Sequence, residues 1–232
     1  MAYPVKSHSV YNMILMHPRR LGSSDDESWT SKSDKRQMLE IFKDWNHRIH
    51  DLLSYVPDGE VVEWSLNTHS PLPSWFENKV ILLGDSCHPM LPYVAQGAAQ
   101  AIEDAAVLSI ALSRITSRDE IEVALGIYEI VRKDRGERIQ QSAATSQKVL
   151  HLPDGPEQRD RDDKIRASAA FQGQQTHDVK KDGNPDLWAD ENWQNFMWGA
   201  DVMSDMYENW ECLKRQVMSK VPGAESLLED ES

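Results

Sequence analysis

The sequence predicts an α/β fold, on three observations. The apolar run Val80-Ile-Leu-Leu83 stops at Gly84-Asp85, which reads as a strand closed by a turn at its carboxyl end. Helical periodicity follows from Gly97 to about Leu150. Short strand patterns stand before the run, and aromatic-rich helical segments stand after it. Four consecutive apolar side chains mark a strand covered on both faces, as in a parallel or mixed sheet.

Residues 2–16 read as a hairpin, with Tyr11, Met13 and Leu15 alternating against their neighbours. Gly22 to Ser28 has the composition of an exposed loop. Ser33 or Asp34 suits the N-cap of one helix to about residue 55, with Met38, Ile41, Phe42, Trp45, Ile49, Leu52 and Leu53 at helical spacing. Pro57-Asp58-Gly59 is a turn and 61–66 a strand. After the run, a helix from Gly97 to about Arg114 is expected to bury Ala101, Ala105, Leu108, Leu112 and Ile115. A second helix begins near Asp119, with Glu122 completing a capping box, and runs to about Leu150. Beyond Pro153 the chain turns polar, and 173–185 reads as a loop. Trp188, Trp193, Phe196, Trp198, Tyr207 and Trp210 are expected to pack terminal helices onto the body rather than to stack on a ligand. The domains expected are 1–72 (strands plus one helix), 73–150 (the run and its two helices) and 151–232 (a polar linker and aromatic-rich helices).

Composition excludes several classes. Lys+Arg 25 against Asp+Glu 38 gives a formal charge of −13, a surface that repels nucleic acid and anionic lipid. The acidic clusters Asp25-Asp26-Glu27 and Glu229-Asp230-Glu231 are read as solvated patches. Cys87 and Cys212 make neither a disulfide framework nor a metal cage. Reduced thiols and the lack of an apolar segment or signal-like leader point to a cytoplasmic protein with no membrane partner.

The chemistry concentrates between Val80 and Ala106: Gly84-Asp85, then Cys87-His88-Pro89, Pro92, Gln96-Gly97-Ala98-Ala99 and Glu103-Asp104. Glycine lets backbone approach a ligand, an aspartate at a strand end accepts hydroxyl hydrogen bonds, and the paired prolines stiffen the loop. A helix opening on small residues leaves amides and a positive dipole end free for negative charge. This ordered set resembles the second flavin-contacting motif of the class A FAD-dependent monooxygenases, near their fungal salicylate hydroxylase-like branch. The resemblance implies a partial PHBH-like FAD-binding domain after a remnant of a substrate-domain sheet. It gives Asp85 the ribityl chain of FAD, sets Gly84 and Pro89 beside the cofactor, and points the amides of Gly97 and Ala98 at the flavin's negative edge. It implies FAD as cofactor and NAD(P)H as co-substrate, with O2 used to hydroxylate a small aromatic substrate. No catalytic side chain is assigned.

Other constellations are weaker. His47 and His50, beside Asp44 and Asp51, have metal-ligand spacing but lack a third ligand, so a polar helix face accounts for them better. Cys87-His88 is not read as a nucleophile and base. Tyr128, Arg132 and Arg135 are expected to ion-pair with the acidic helix that follows the motif.

The family's other half has no counterpart here. Of the eleven glycines no two stand at Gly-x-Gly spacing, so the pyrophosphate-cradling turn is missing from this sequence. Met1 is accordingly expected to mark an internal start, a truncated gene product or half of a split gene. Two functions stay open. One is an FAD-dependent hydroxylase. The other is a non-catalytic remnant that acts only with a separate N-terminal half. The chain alone is expected to bind FAD weakly or not at all, to catalyse no NAD(P)H-dependent hydroxylation and to self-associate.

Overall fold

The computed structural model describes residues 1–18, 30–171 and 183–219. The loop read at 22–28, most of that read at 173–185 and both acidic clusters lie outside the described residues. The chain divides into two compact units, Met1–Leu66 and Asn67–Ser232.

In the first unit, β1 (Ala2–Val5) and β2 (Val10–Met13) form an antiparallel hairpin with Ala2 opposite Met13. Its tip carries Lys6, Ser7 and His8 at φ 49°, 53° and 68°, three left-handed residues in succession. β3 (Thr30–Lys32) pairs antiparallel with β4 (Val62–Trp64). The single helix expected to residue 55 is two, α1 (Lys35–Ile41) and α2 (His47–Ser54). Asp34 caps the first, its side chain accepting from the Gln37 N–H. The break follows from Asn46, whose side chain accepts from the Arg48 N–H and starts a new helix. Met38, Phe42 and Leu53 form this unit's core, with Met13, Leu15, Ile49 and Val61 packed on it.

In the second unit, β5 (Phe76–Glu77) and β6 (Val80–Ile81) form a short antiparallel hairpin around Asn78. The expectation that 80–83 is covered on both faces is not met: Val80 is 69% and Leu83 38% exposed. Among the described residues β6 pairs with β5 alone, so no parallel neighbour lies against its outer edge. The helices are α3 (Gly97–Ser113), α4 (Ile121–Leu150), α5 (Pro156–Phe171), α6 (Glu191–Trp198) and α7 (Val202–Met218). Ser117, not Asp119, opens the connection into α4. It caps the 3-10 turn Arg118–Glu120, and Glu120 closes the capping box.

The buried side of α3 also departs from expectation. Gln100, Asp104, Val107, Ile110 and Ala111 face inward, while Ala101, Ala105 and Leu112 are exposed. A helix apolar on nearly every side gives periodicity no phase to read. Here partners on α4 set the phase. The main core gathers Trp75, Cys87, Val107, Ile127 and Tyr128 with Val202, Met206, Trp210 and Val217 of α7. α4 approaches α7 closely at Gly126, where a Cβ would come within 2.7 Å of the Val217 side chain. No helix among the described residues is long and apolar enough to cross a membrane.

Candidate functional site

The turn after β6 is built around Gly84. Its φ of +56° is one that side chains resist, and a Cβ there would meet the Ala101 Cβ at 3.4 Å. The turn therefore lies directly on the first half of α3. The Ser86 hydroxyl closes it locally, accepting from the Leu83 N–H at 2.9 Å and donating to the Leu83 carbonyl at 2.6 Å.

One buried carboxylate fastens the turn from below. Asp104 Oδ2 accepts from the Gly84 N–H at 2.9 Å and from His88 Nε2 at 2.6 Å, and Oδ1 accepts from Arg132 Nε at 2.8 Å. Arg132, fully buried, also donates to Glu103, to the Gln100 carbonyl at 3.2 Å and to Gln100 Oε1 at 2.7 Å. Arg135 grips Glu103 with Nε and Nη2 at 2.7 and 2.8 Å. Two carboxylates thus meet two guanidiniums in a closed set. Burial pushes the Asp104 carboxyl upward, yet hydrogen bonds from His88, Arg132 and the Gly84 amide outweigh it and hold it below its ordinary value. Glu103 is likewise raised by burial and lowered further by Arg135 and Arg132. The expected pairing of Arg132 and Arg135 with the acidic helix is what the geometry shows; Tyr128 instead donates its hydroxyl to the Leu82 carbonyl at 3.3 Å.

Cys87, His88 and Asp104 place donor atoms within 4.8 Å of one another, the spacing of a metal cluster. The chemistry opposes a cation. Burial and the Asp104 charge push the Cys87 thiol up to about 12, and the Arg132 guanidinium already neutralises Asp104. His88 packs against Trp75 with ring centroids 5.3 Å apart, both pressed on Gly136, where a Cβ would lie 3.0 Å from the Trp75 ring and 3.1 Å from His88. Among the described residues His88 Nδ1, Trp75 Nε1 and Gln140 Oε1 have no hydrogen-bond partner. In the first unit, His50 Nε2 is 2.9 Å from the Lys43 carbonyl, which occupies half of the weak His47–His50 pair.

The residues singled out in the sequence fall around this clamp. Gly84 is buried within it. Asp85, next in the chain, is exposed and its carboxylate makes no hydrogen bond or ion pair among the described residues. Pro89 is buried, its carbonyl accepting from Gln140 Nε2 at 2.8 Å. Gly97 is half-buried beside Met90, and Ala98 is exposed. Gln96, the N-cap of α3, caps no amide with its side chain, so the Gly97 and Ala98 N–H groups keep the unpaired state usual at a helix start. An exposed carboxylate acceptor and helix-start amide donors thus stand on either side of the loop 86–96. Sequence reasoning missed Asp104 and Gln100 as the organising residues. The available signal was an acidic pair in an otherwise apolar helix, matched by two arginines one turn apart on the next.

Comparison with known proteins gives the class: a flavin-binding domain. The FAD binding domain family matches residues 5–143, and the chain belongs to that family. An FAD-dependent monooxygenase, atnJ of Arthrinium sp, is 40% identical over 179 residues, 77% of this chain and 42% of that protein. A 6-hydroxynicotinate 3-monooxygenase of Pseudomonas fluorescens is 40% identical over 109 residues, 47% of this chain and 28% of its own. A salicylate hydroxylase solved as a substrate complex shares the fold, with a TM-score of 0.62 at 20% identity over 93% of this chain and 46% of that one. The chain thus spans less than half the length of the relatives it matches.

Proposed function

We propose that this chain is the flavin-ring and ribityl half of an FAD-dependent monooxygenase that hydroxylates an aromatic or related small molecule with NAD(P)H and O2, in secondary metabolism and in the cytoplasm. When bound, FAD supplies the redox chemistry, accepting a hydride and passing oxygen to the substrate. The residues of this chain bind and orient. Asp85 accepts hydrogen bonds from the ribityl hydroxyls. The Gly97 and Ala98 amides favour the negative charge of the reduced ring, and the stiff loop from Pro89 excludes water beside it. Residues 1–72 belong to the substrate side of the protein and 73–150 to the FAD side, with 151–232 packing against the latter. The observation that carries this reading is the Asp104 clamp. It holds Gly84 against α3, so that a free carboxylate and a free helix start are presented by one rigid unit.

A second reading is that activity requires a partner. It is favoured by the uncovered apolar face of Val80, Leu83 and the outward side of α3. A separate dinucleotide-binding half, or a second copy of this chain, would cover that face. Fluorescence titration of riboflavin and FAD tests both readings. The chain alone is expected to bind the two flavins with similar, weak affinity. FAD should gain over riboflavin, and NAD(P)H should be consumed with a phenolic substrate, only when a dinucleotide-binding half is added. Asp85→Ala should weaken both flavins about 10- to 100-fold, the loss of a charge-assisted hydrogen bond. Affinities unchanged in that variant would remove Asp85 from the site.

A further inference from the structure

The loop 89–95 joins the Asp104 clamp to the start of α3; its two prolines stiffen it but do not by themselves fix where it sits. Two of its residues, Pro89 and Pro92, have no N–H to donate. A local bond runs from the Ala95 N–H to the Pro92 carbonyl, and Ala95 itself is left-handed at φ 50°. A non-glycine residue keeps such a conformation only when its surroundings impose it.

Those surroundings come partly from α4 and partly from far along the chain, beyond the stretch that the family match covers. The Trp188 indole N–H donates to the Tyr93 carbonyl at 2.8 Å. Val94, 1% exposed, packs with Ile139 and Ala143 of α4 and Met197 of α6, and Met90, Leu91, Trp193 and Phe196 close the cluster. The segment that supplies these groups is internally fixed. Asp186 caps the turn Leu187–Ala189 through the Trp188 N–H, and Asp190 accepts from the Asn184 N–H at 2.8 Å and the Trp193 N–H at 2.7 Å. Arg135 ties it to the clamp: the guanidinium that grips Glu103 also donates to the Phe196 carbonyl at 2.6 Å and the Met197 carbonyl at 2.9 Å, at the end of α6. One side chain therefore connects the helix bearing Asp104 to the segment that holds the loop.

We propose that residues 184–198 are a working part of the flavin site, with Trp188 as a positioning residue that holds the loop 89–95 and so sets where the ring-side loop and the α3 amides stand. This rests on the flavin reading above. The role goes beyond the packing expected of these aromatics, because the Trp188 bond is made to the backbone of the loop, not to the core.

Trp188→Phe in the full chain keeps the ring and removes the donor. Hydrogen exchange read by peptide should then speed up about tenfold or more in 89–96 and stay unchanged in α4. Riboflavin, followed by fluorescence quenching, should bind about three- to tenfold more weakly, with a shifted absorbance band near 450 nm in the residual complex. Trp210→Phe, on the face of α7 that enters the main core, is the structural control: it should lower the melting temperature and leave both the loop exchange and the flavin band alone. Asp186→Ala, which frees the turn carrying Trp188 but leaves the indole intact, replaces the first variant should α4 lose its protection too. Unchanged exchange in 89–96 overturns the proposal. So does faster exchange with unaltered flavin affinity and band. A wild-type chain that binds no flavin under any of these conditions instead sinks the function proposed above, and the flavin part of this inference with it.

Discussion

The two faces of α3 invert the usual arrangement of a helix. The inward face carries Gln100 and Asp104, both fully buried, with the half-buried Glu103 beside them. The outward face carries Ala98, Ala101, Ile102, Ala105 and Leu112, with Ile102 70% and Leu112 42% exposed. A surface helix ordinarily does the reverse. The inward charges are tolerable because each finds a guanidinium or several hydrogen bonds, and because they hold the turn at Gly84. Ala101 meets the turn at Gly84, while Ile102 and Leu112 stay exposed among the described residues. One face is thus satisfied internally and the other leaves apolar side chains open. Stability and assembly should therefore respond to different residues on one helix.

The largest effect is expected from Asp104→Ala. It removes one of the two carboxylates that the buried Arg132 binds and leaves the Gly84 amide and His88 without their acceptor. The loss should be about 3–5 kcal/mol, read from denaturant unfolding. A loss below about 1 kcal/mol would mean that the clamp is ornamental and that apolar packing alone holds α3 to α4.

Acid should attack the same face. Asp104 and Glu103 are held below their ordinary values of 3.8 and 4.5 in the folded chain. Their contribution is therefore present above the unfolded values and is lost as pH falls through the folded ones. The melting temperature should hold steady from neutrality to about pH 5 and fall steeply below pH 4, in the ordinary carboxylate range. Asp104→Asn, though less stable throughout, should show a shallower acid dependence. An equally steep fall in that variant would place the acid sensitivity elsewhere.

The smallest effect on stability, and the clearest on assembly, is expected from Ile102→Glu. An exposed position should change unfolding by less than about 0.5 kcal/mol. Sedimentation should nevertheless show less self-association than the parent chain, because a charge now interrupts the apolar stripe. A variant that sediments identically would show that this face is not the one that associates.

How far the sequence disclosed this follows from what each signal encodes. The turn at Gly84-Asp85 and the helix from Gly97 were legible because glycine, proline and small residues mark local backbone requirements. The partnership of Arg132 and Arg135 with the α3 acids was legible because two arginines one turn apart on a helix need matching charge nearby. The orientation of α3 was not, since residues apolar on nearly every side carry no phase, and ordinary expectation turns Asp104 toward water. The break at Asn46 was hidden because Ile41, Phe42, Trp45 and Ile49 keep helical spacing across it. The open state of Val80 and Leu83 was hidden for another reason. An apolar run records what a strand is suited to pack against, not what lies beside it.

The close approach of α4 and α7 at Gly126 has a consequence for anyone dividing this protein. The stretch matched by the FAD binding domain family model ends at residue 143, within α4. Yet Val202, Met206, Trp210 and Val217 of α7 fill the same core as Val107 and Ile127, and the absent side chain at Gly126 is what lets Val217 reach that depth. A fragment cut to the family boundary would shed one wall of its own interior and sever α4 before its last turns. The stretch the family model covers is shorter than the unit that packs together, and expression boundaries are best drawn from the second.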